Sequence, residues 1–368
     1  MKKITIFGSV GYNIGDEAIA VAAANKLLEI DKDLTITIST LKKGVIKGRY
    51  TGLNEFYLQR NNLNGWKNLF KQIKDSDLIV LGGGTMVQDK LGISVTRGMI
   101  PYMLQLTMIS KVLRKPVITL PIGVDKLNTN LGKVFSKTFL NSIDKLYVRD
   151  DQSLGLAQNY ASKLNNGTVC SDPAFFLEVK EGKTENARKY VTISLVNENL
   201  DKSSFIPAIK DCINWIIKNT ELDIYLVPMD RREEEELTLF AEITDKSDSS
   251  SSERIKIIDA EQNVFQITNI LRNSELLIGM RLHALILSIG YTEIIGISRT
   301  TKTENFFKEF GLDYFDINKK SINKEELTSL VKENLLRLEK SNRDNIINKL
   351  DEKKQKYETG MQEIYSYL

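Results

Sequence analysis

Histidine and cysteine are nearly absent from this chain of 368 residues. The single histidine is His283, and the two cysteines, Cys170 and Cys212, form neither a CxxC pair nor a regular disulfide pattern. One histidine and two distant cysteines cannot supply the ligand sets that zinc sites use. The sequence therefore predicts reduced, structural thiols in a cytoplasmic protein without a bound metal.

The chain also lacks a strong excess of either charge and any long apolar run. Its 51 Lys+Arg and 48 Asp+Glu nearly cancel, which argues against a dedicated nucleic-acid partner. The most apolar stretch, residues 99–113, is interrupted by Gln105 and Lys111 and is shorter than a membrane span requires. The apolar residues that follow Met1 are too few for a signal peptide. We therefore expect no segment that crosses a bilayer.

Predicted strands and helices alternate in two successive series. The first strands are expected at 4–7, 35–39, 78–81, 117–120 and 145–148, with helices beginning near 16, 65, 97, 131 and 152. The second strands are expected at 191–195, 224–227, 255–258, 276–278 and 294–297, with helices beginning near 203, 231, 264, 282 and 303. This alternation predicts an α/β protein with two Rossmann-like, doubly wound domains in series.

The predicted domains are residues 1–178 and 188–322. A charged, glycine-containing segment at 178–186 divides them. Residues 323–368 carry apolar side chains at helical spacing and are predicted to form long charged helices that pack back on the domains. The serine-rich segment 245–253 has no apolar residue, so we expect a solvated loop there.

Two glycine-containing loops follow predicted strands. The first, residues 8–17, opens the first helix, and its glycines let the backbone approach a bound group while Asp16 could cap the helix. It matches neither the P-loop nor GxGxxG, so a tight turn and a ligand cradle are equally open. The second, Gly82–Thr85, is followed by Gln88 and Asp89 and places three glycines at a strand end, which indicates ligand contact.

Two arginines and the histidine also follow predicted strands. Arg149 either contacts a ligand or pairs with Asp150 or Asp151. Arg281 and His283 begin a helix after an apolar strand, where free N–H groups favour anions. The fork of Arg281 suits phosphate or carboxylate. His283 is the only imidazole available for proton transfer near neutral pH.

In this order the motifs resemble those of the polysaccharide pyruvyl transferase family, over about residues 1–312. The matching segments are Asn13–Glu17, Gly82–Thr85, Val148–Asp150 with Ser153, and Arg281–His283 with Gly290. The resemblance implies two Rossmann-like domains facing a central cleft, as in B-type glycosyltransferases, with the acceptor on the N-terminal side and the donor on the C-terminal side. It also implies transfer of pyruvate from phosphoenolpyruvate, a co-substrate, to a bacterial cell-surface polysaccharide or its lipid-linked precursor, without a cofactor.

The same resemblance assigns roles to individual residues. Arg149 and Arg281 would hold the phosphate and carboxylate of phosphoenolpyruvate, and His283 would be the acid/base group. The other substrate-binding positions would be Asn13, Gly15, Asp16, Glu17, Gly83, Gly84, Thr85, Asp89 and Lys302. Three of these carboxylates, at positions 16, 17 and 89, are alternatives for the base that deprotonates the sugar, and each also fits a helix cap or a loop anchor.

Two other functions fit the same pattern. A glycosyltransferase that uses a nucleotide sugar would need the same glycine loops and an arginine for its diphosphate. A non-catalytic glycan-binding protein could keep the fold without the reaction. Since one fold hosts many functions, the choice depends on the site.

Residues 65–74 combine apolar and basic side chains at helical spacing. The apolar members are Trp66, Leu69, Phe70 and Ile73, and the basic members are Lys67, Lys71 and Lys74. This pattern is typical of a helix lying on the inner face of a membrane, and also of an ordinary helix packed on a sheet. The second interpretation is the more common one.

Overall fold

The structure, a computed structural model, describes the chain except for residues 61, 91, 162–163, 165, 180–188, 199, 233–235, 245–251 and 337–342. The chain divides into two compact units: unit 1 contains residues 1–177 and 352–368, and unit 2 contains residues 178–351. This division differs at the C-terminal end from the three predicted segments, because the last helix contributes to both units. The predicted divider at 178–186 and the predicted loop at 245–253 lie largely outside the described residues.

Unit 1 alternates strands and helices from its first residues. Its elements are β1 (Lys3–Phe7), α1 (Ile14–Ile30), β2 (Thr35–Thr40), β3 (Leu53–Tyr57), α2 (Leu63–Asp75), β4 (Leu78–Leu81), β5 (Thr85–Val87), α3 (Met99–Val112), β6 (Val117–Thr119), β7 (Gly123–Val124), α4 (Asn130–Ser142), β8 (Leu146–Val148), α5 (Asp151–Tyr160) and β9 (Gly167–Val169). Five of these strands form a parallel sheet in the order β3-β2-β1-β4-β6, and β5-β7 and β8-β9 form two further parallel pairs. The strand order reverses between β1 and β4, which is the switch point where open α/β sheets bind ligands.

Unit 2 repeats the pattern with six parallel strands. Its elements are β10 (Tyr190–Ser194), α6 (Lys202–Asn219), β11 (Asp223–Leu226), α7 (Thr238–Thr244), β12 (Ile255–Ile257), α8 (Val264–Arg272), β13 (Leu276–Gly279), α9 (Leu282–Ser288), β14 (Glu293–Ser298), α10 (Thr301–Phe310), β15 (Tyr314–Asp316) and α11 (Lys324–Leu336). The sheet order is β12-β11-β10-β13-β14-β15, so the switch point lies between β10 and β13.

The C-terminal helices stabilise both units. Helix α11 packs on α6, with Leu327 and Val331 in the core of unit 2. Helix α12 (Arg343–Tyr365) places its C-terminal part in unit 1. There the Tyr357 ring stacks on Phe176 at 4.9 Å between ring centres, and its hydroxyl donates a hydrogen bond to the Ala22 carbonyl oxygen at 3.2 Å. Among the residues that the structure describes, no helix is long and apolar enough to cross a membrane.

The predicted fold class is confirmed: the protein is α/β, with a doubly wound parallel sheet in each unit. Helix α1 begins at Ile14, two residues before its predicted start, because Asn13 is its N-cap. Helix α7 (Thr238–Thr244) continues a helical turn at residues 236–237, and residues 233–235, between that turn and the predicted start near Arg231, lie outside the described part of the chain. The buried Arg231 guanidinium donates to carbonyl oxygens of the loop at 260–262.

Candidate functional site

The two glycine loops of unit 1 lie against each other at the switch point. They follow β1 and β4, which are paired neighbours. A Cβ on Gly8 would overlap the carbonyl oxygen of Gly82, and a Cβ on Gly84 would overlap the carboxylate of Asp16. Gly83 and Gly84 also have φ angles of +117° and +75°, which side-chain-bearing residues rarely adopt. The second loop therefore needs its glycines both for close packing and for its backbone conformation.

The residues predicted in the first loop have different roles. Asn13, rather than Asp16, caps α1, since its Oδ1 accepts from the Gly15 amide at 2.7 Å. Asp16 lies half-buried in the first turn of α1 and accepts a hydrogen bond from the Ser9 hydroxyl at 2.6 Å. Glu17 is fully buried and accepts a hydrogen bond from the Tyr50 hydroxyl, which is a structural contact.

Asp89 anchors the loop that precedes α4. Its carboxylate accepts hydrogen bonds from the Thr129 hydroxyl at 2.7 Å, the Thr129 amide at 2.8 Å and the Asn128 amide at 3.0 Å. Burial acts to raise the pKa of Asp89, but these hydrogen bonds outweigh it and lower the pKa below its usual value. A carboxylate with this many donors is a poor proton acceptor. Of the three alternatives for the base, Asp16 is the most accessible one.

Arg149 and Thr85 are brought together in unit 1. The Arg149 side chain is 8% exposed, and its Nη2 donates to the Thr85 hydroxyl at 3.3 Å. Its Nε lies 3.4 Å from Asp150, so the predicted pairing with that neighbour is present, and its Nη1 lies 4.0 Å from the buried Asp172. A Cβ on Gly123 would overlap the guanidinium. The packing therefore fixes the orientation of Arg149.

A cavity of about 660 Å³ opens beside the first glycine loop, entirely within unit 1. Its polar lining comes from Ser9, Arg60, Gln88, Ser94, Arg97 and Tyr102. The Arg60 guanidinium lies 4.3 Å over the Tyr102 ring, and among the described residues neither Arg60 nor Arg97 forms an ion pair. The Tyr102 hydroxyl is buried beside the Ser39 side chain. The cavity thus offers two cationic groups and one buried hydroxyl to a polar ligand.

Arg281 and His283 lie at the switch point of unit 2. Met280, immediately after β13, donates its amide to the Ser194 carbonyl oxygen at 2.8 Å, which fixes the start of this loop against the end of β10. Arg281 is the N-cap residue of α9, and the half-buried His283 lies in the first turn of that helix. The predicted pair is therefore placed at the carboxyl ends of two central strands.

A buried glutamate orients Arg281. Glu236 is fully buried, its Oε1 accepts from Arg281 Nε, and its Oε2 accepts from the Met229 amide at 2.5 Å. Burial raises the pKa of Glu236, while the Arg281 guanidinium acts to lower it. This contact uses only Nε and leaves the two terminal nitrogens for a further anion, and the buried Asp230 carboxylate also lies within electrostatic reach of the guanidinium.

Lys302 lies at the same edge of the unit 2 sheet as Arg281. It is in the first turn of α10, which follows β14, and β14 pairs with β13. Arg299, at the end of β14, forms an ion pair with Glu198 at 2.8 Å. This edge of the sheet therefore carries Arg281, Arg299 and Lys302, with the two arginines paired to Glu236 and Glu198.

Several polar residues of the two sites had not been singled out from the sequence. Arg60 follows β3, a strand that was not predicted, and Arg97 and Tyr102 flank the start of α3. Glu236 is the last residue of a run of four glutamates, and a run of identical residues carries no sign of which one is buried. Among the described residues, no group of three or more His, Cys, Asp or Glu side chains could hold a metal ion.

Solved structures with the same fold include nucleotide-sugar enzymes. The UDP-GlcNAc 2-epimerase of Neisseria meningitidis, bound to UDP-GlcNAc, has a TM-score of 0.62 at 11% identity, covering 99% of each chain. Anabaena HepE with UDP-glucose has a TM-score of 0.62 at 11% identity over 100% of each chain. A glycosyltransferase from Rickettsia africae has a TM-score of 0.59 at 13% identity, covering 99% of this chain and 98% of that one. The fold is thus that of the GT-B-type epimerases and glycosyltransferases, as expected.

Sequence comparison gives the family. Residues 13–292 match the model of the polysaccharide pyruvyl transferase family, so the chain belongs to that family. The resemblance inferred from the motifs is confirmed. A comparison with curated proteins found no match. The family supports an enzyme of the transferase class that acts in polysaccharide biosynthesis.

Proposed function

We propose that the protein transfers pyruvate from phosphoenolpyruvate to a sugar of a bacterial cell-surface polysaccharide or its precursor, forming a pyruvate ketal and releasing phosphate. The observation that carries this proposal is the Arg281–His283 pair at the switch point of unit 2, with Arg281 oriented by the buried Glu236. Membership of the family supports the same reaction.

The chemistry requires an acid and at least one cation. His283 would protonate the methylene carbon of the enol phosphate, so that C2 gains oxocarbenium character and bonds to a sugar hydroxyl oxygen. A second hydroxyl of the sugar then bonds to C2 as the bond from C2 to the phosphate oxygen breaks. Each hydroxyl gives up its proton, one to a base and one to the departing phosphate. Arg281 would stabilise the negative charge of the donor through charge-assisted hydrogen bonds.

The acceptor would bind in the cavity of unit 1. Its volume is sufficient for a sugar, and its buried Tyr102 hydroxyl and its two arginines are donors suited to sugar oxygens and to an anionic substituent. Asp16, Gly15, Gly83 and Thr85 lie in the adjoining loops, and Asp16 is the base that we propose. The mechanism needs no cofactor or metal, so full activity is expected in excess chelator.

Phosphate release from phosphoenolpyruvate, measured against a panel of free and lipid-linked glycosides, tests the proposal. The His283→Ala enzyme should bind the donor normally and lose turnover by about 100- to 10,000-fold, as expected for a missing general acid. Arg281→Ala should lose donor binding, and Arg281→Lys should restore little of it because lysine lacks the fork. Arg149→Ala should also weaken donor binding if its assigned role is correct.

The result that would contradict the proposal is near-normal turnover by His283→Ala. A matched control is Arg299→Ala, since Arg299 lies at the same sheet edge but is paired with Glu198. If Arg299→Ala loses as much donor binding as Arg281→Ala, then general positive charge at this edge, rather than Arg281 itself, is responsible for holding the donor. Unchanged donor binding by Arg149→Ala would leave Arg149 a structural residue, as its contacts with Asp150 and Asp172 allow.

A further inference from the structure

Exposed apolar side chains are concentrated on three neighbouring helices of unit 1. Helix α3 packs between α2 and α4. Eight of the 14 exposed large hydrophobic residues in the described chain lie on these helices or on the loop before α3. These eight form the apolar patch: Leu63, Trp66, Phe70, Val95, Met108, Val112, Leu131 and Val134. Scattered single apolar residues are normal on protein surfaces, but a concentration of this kind marks an interaction site.

The patch is continuous across the helices. A groove of about 370 Å³ is lined by Trp66 of α2, Val95, Met108 of α3 and Phe135 of α4, with only one polar side chain, Gln105. Leu63, Phe70, Val112 and Leu131 lie three or four residues from these along the same helices, and therefore on the same faces, and Val134 lies three residues from Leu131. Helix α2, for which the sequence predicted one apolar face, divides these apolar residues between two environments. Leu69 and Ile73 are buried in the core, whereas Trp66 and Phe70 are exposed in the patch.

The charges on these three helices are almost all positive. Helices α2, α3 and α4 contain six exposed lysines and a single acidic residue, Asp75, although the whole chain has a net charge of only +3. The lysines are Lys67, Lys71, Lys74, Lys111, Lys133 and Lys137. Only Lys111 forms an ion pair with a described residue, Asp144, at 2.6 Å. Positive charge is therefore local to the surface that carries the apolar patch.

We propose that this face of unit 1 docks on the surface of an anionic lipid bilayer. The apolar patch would enter the interface between headgroups and acyl chains, where tryptophan is favoured, and the lysines would contact lipid phosphates. A second copy of the chain fits less well, because a two-fold interface would bring six lysines against six lysines. The observations are independent of the proposed reaction.

Docking would place the cavity of unit 1 beside the bilayer. Helix α3 lines the groove with Pro101 and Leu104 and lines the cavity with Met99 and Tyr102, so one helix borders both features. This consequence, unlike the docking itself, rests on the proposed function: an acceptor sugar attached to a membrane lipid would lie close to the cavity.

Co-sedimentation of the whole protein with vesicles tests the docking. Vesicles of phosphatidylcholine with phosphatidylglycerol should bind the protein at low salt, whereas phosphatidylcholine alone should bind it weakly, and added salt should release it. The Lys67→Glu, Lys71→Glu, Lys137→Glu triple variant should bind at least about 100-fold more weakly. The Trp66→Glu, Phe70→Glu double variant should also lose binding, and both side chains are exposed, so the fold should be unaffected.

Matched controls lie elsewhere on the chain. Ile347→Glu changes an equally exposed apolar residue of α12, and a Lys332→Glu, Lys354→Glu, Lys356→Glu triple variant makes the same change of charge. Both should bind vesicles like the unchanged protein. Absence of binding to anionic vesicles at low salt, or equal loss of binding in the controls, would overturn the proposal. Concentration-dependent dimerisation abolished by Trp66→Glu would also overturn it, by assigning the patch to a second copy.

Discussion

At the scale of single residues, Asp89 makes the contacts of a loop anchor, which was one of the roles expected for it from the sequence. The glycine loop that precedes it was identified from the sequence as a strand-end site. The carboxylate points into the backbone of the segment before α4, where it accepts hydrogen bonds from Asn128 and Thr129. Local sequence cannot reveal this, since the partners are about 40 residues away.

The lowered pKa of Asp89 predicts a pH-dependent contribution to stability. A carboxyl whose pKa is lower in the folded than in the unfolded state stabilises the fold above the unfolded value, about 3.9, and this contribution is lost as the pH falls through the folded value. Asp89→Asn should therefore cost about 1–3 kcal/mol near neutral pH and much less in acid. Urea unfolding of both proteins as a function of pH measures the difference.

Asp33→Asn is the matched control, because Asp33 is an exposed residue in the turn before β2. That variant should change the free energy of unfolding by less than about 0.5 kcal/mol. An Asp89→Asn variant whose loss of stability is the same at neutral and acid pH would contradict the prediction.

At the scale of elements, the sequence predicted the strongly apolar strands well and missed several short or partly polar strands. The fully buried strand β4, Leu78–Leu81, was predicted with its observed bounds because a short, uninterrupted apolar run between polar residues is typical of a strand covered on both faces. Strands β5, β7 and β9 have two or three residues each and were not predicted, although β6, β8 and β12, with three residues each, were. Strand β3 alternates irregularly at the sheet edge and contains Asn54 and Glu55, so it has no clear apolar face.

The contact between helix α12 and Cys170 is made at Gly360, and it allows a prediction about this element. A Cβ on Gly360 would overlap the Cys170 sulfur atom, and the thiol is itself buried. Gly360→Ala should therefore destabilise the protein by about 1–3 kcal/mol through overpacking, although alanine favours helix by about 1 kcal/mol. The midpoint of urea unfolding measures this change.

Gly155 in α5 is the matched control, because a Cβ there meets nothing within 4 Å. Gly155→Ala should stabilise unit 1 by about 0.5–1 kcal/mol. If both substitutions stabilise the protein, the close contact between α12 and Cys170 does not constrain the fold.

At the scale of the whole molecule, the fold leaves the identity of the donor open. The structures that share the fold include complexes with UDP-GlcNAc and UDP-glucose, at 11% identity, which is evidence for the fold alone. The family match covers the segment from Asn13 to Thr292 and includes Arg149, Arg281 and His283. The two-domain fold was predictable because strand and helix patterns repeat along the chain. The expectation of phosphoenolpyruvate as donor depends on the few residues at strand ends, since the fold can serve either donor.

A comparison of ligands by thermal unfolding decides between these donors. We expect phosphoenolpyruvate to raise the unfolding temperature and UDP or UDP-GlcNAc to leave it unchanged, because only a ligand that binds the folded state stabilises it. At a ligand concentration 100 times the dissociation constant, binding adds about 2.7 kcal/mol to the free energy of unfolding. Each kcal/mol raises the unfolding temperature of domains of this size by about 2–4 °C. His283→Ala should keep the phosphoenolpyruvate shift, since the imidazole acts in the chemical step, whereas Arg281→Ala should lose it. A shift with UDP and none with phosphoenolpyruvate would instead favour a glycosyltransferase that uses a nucleotide sugar.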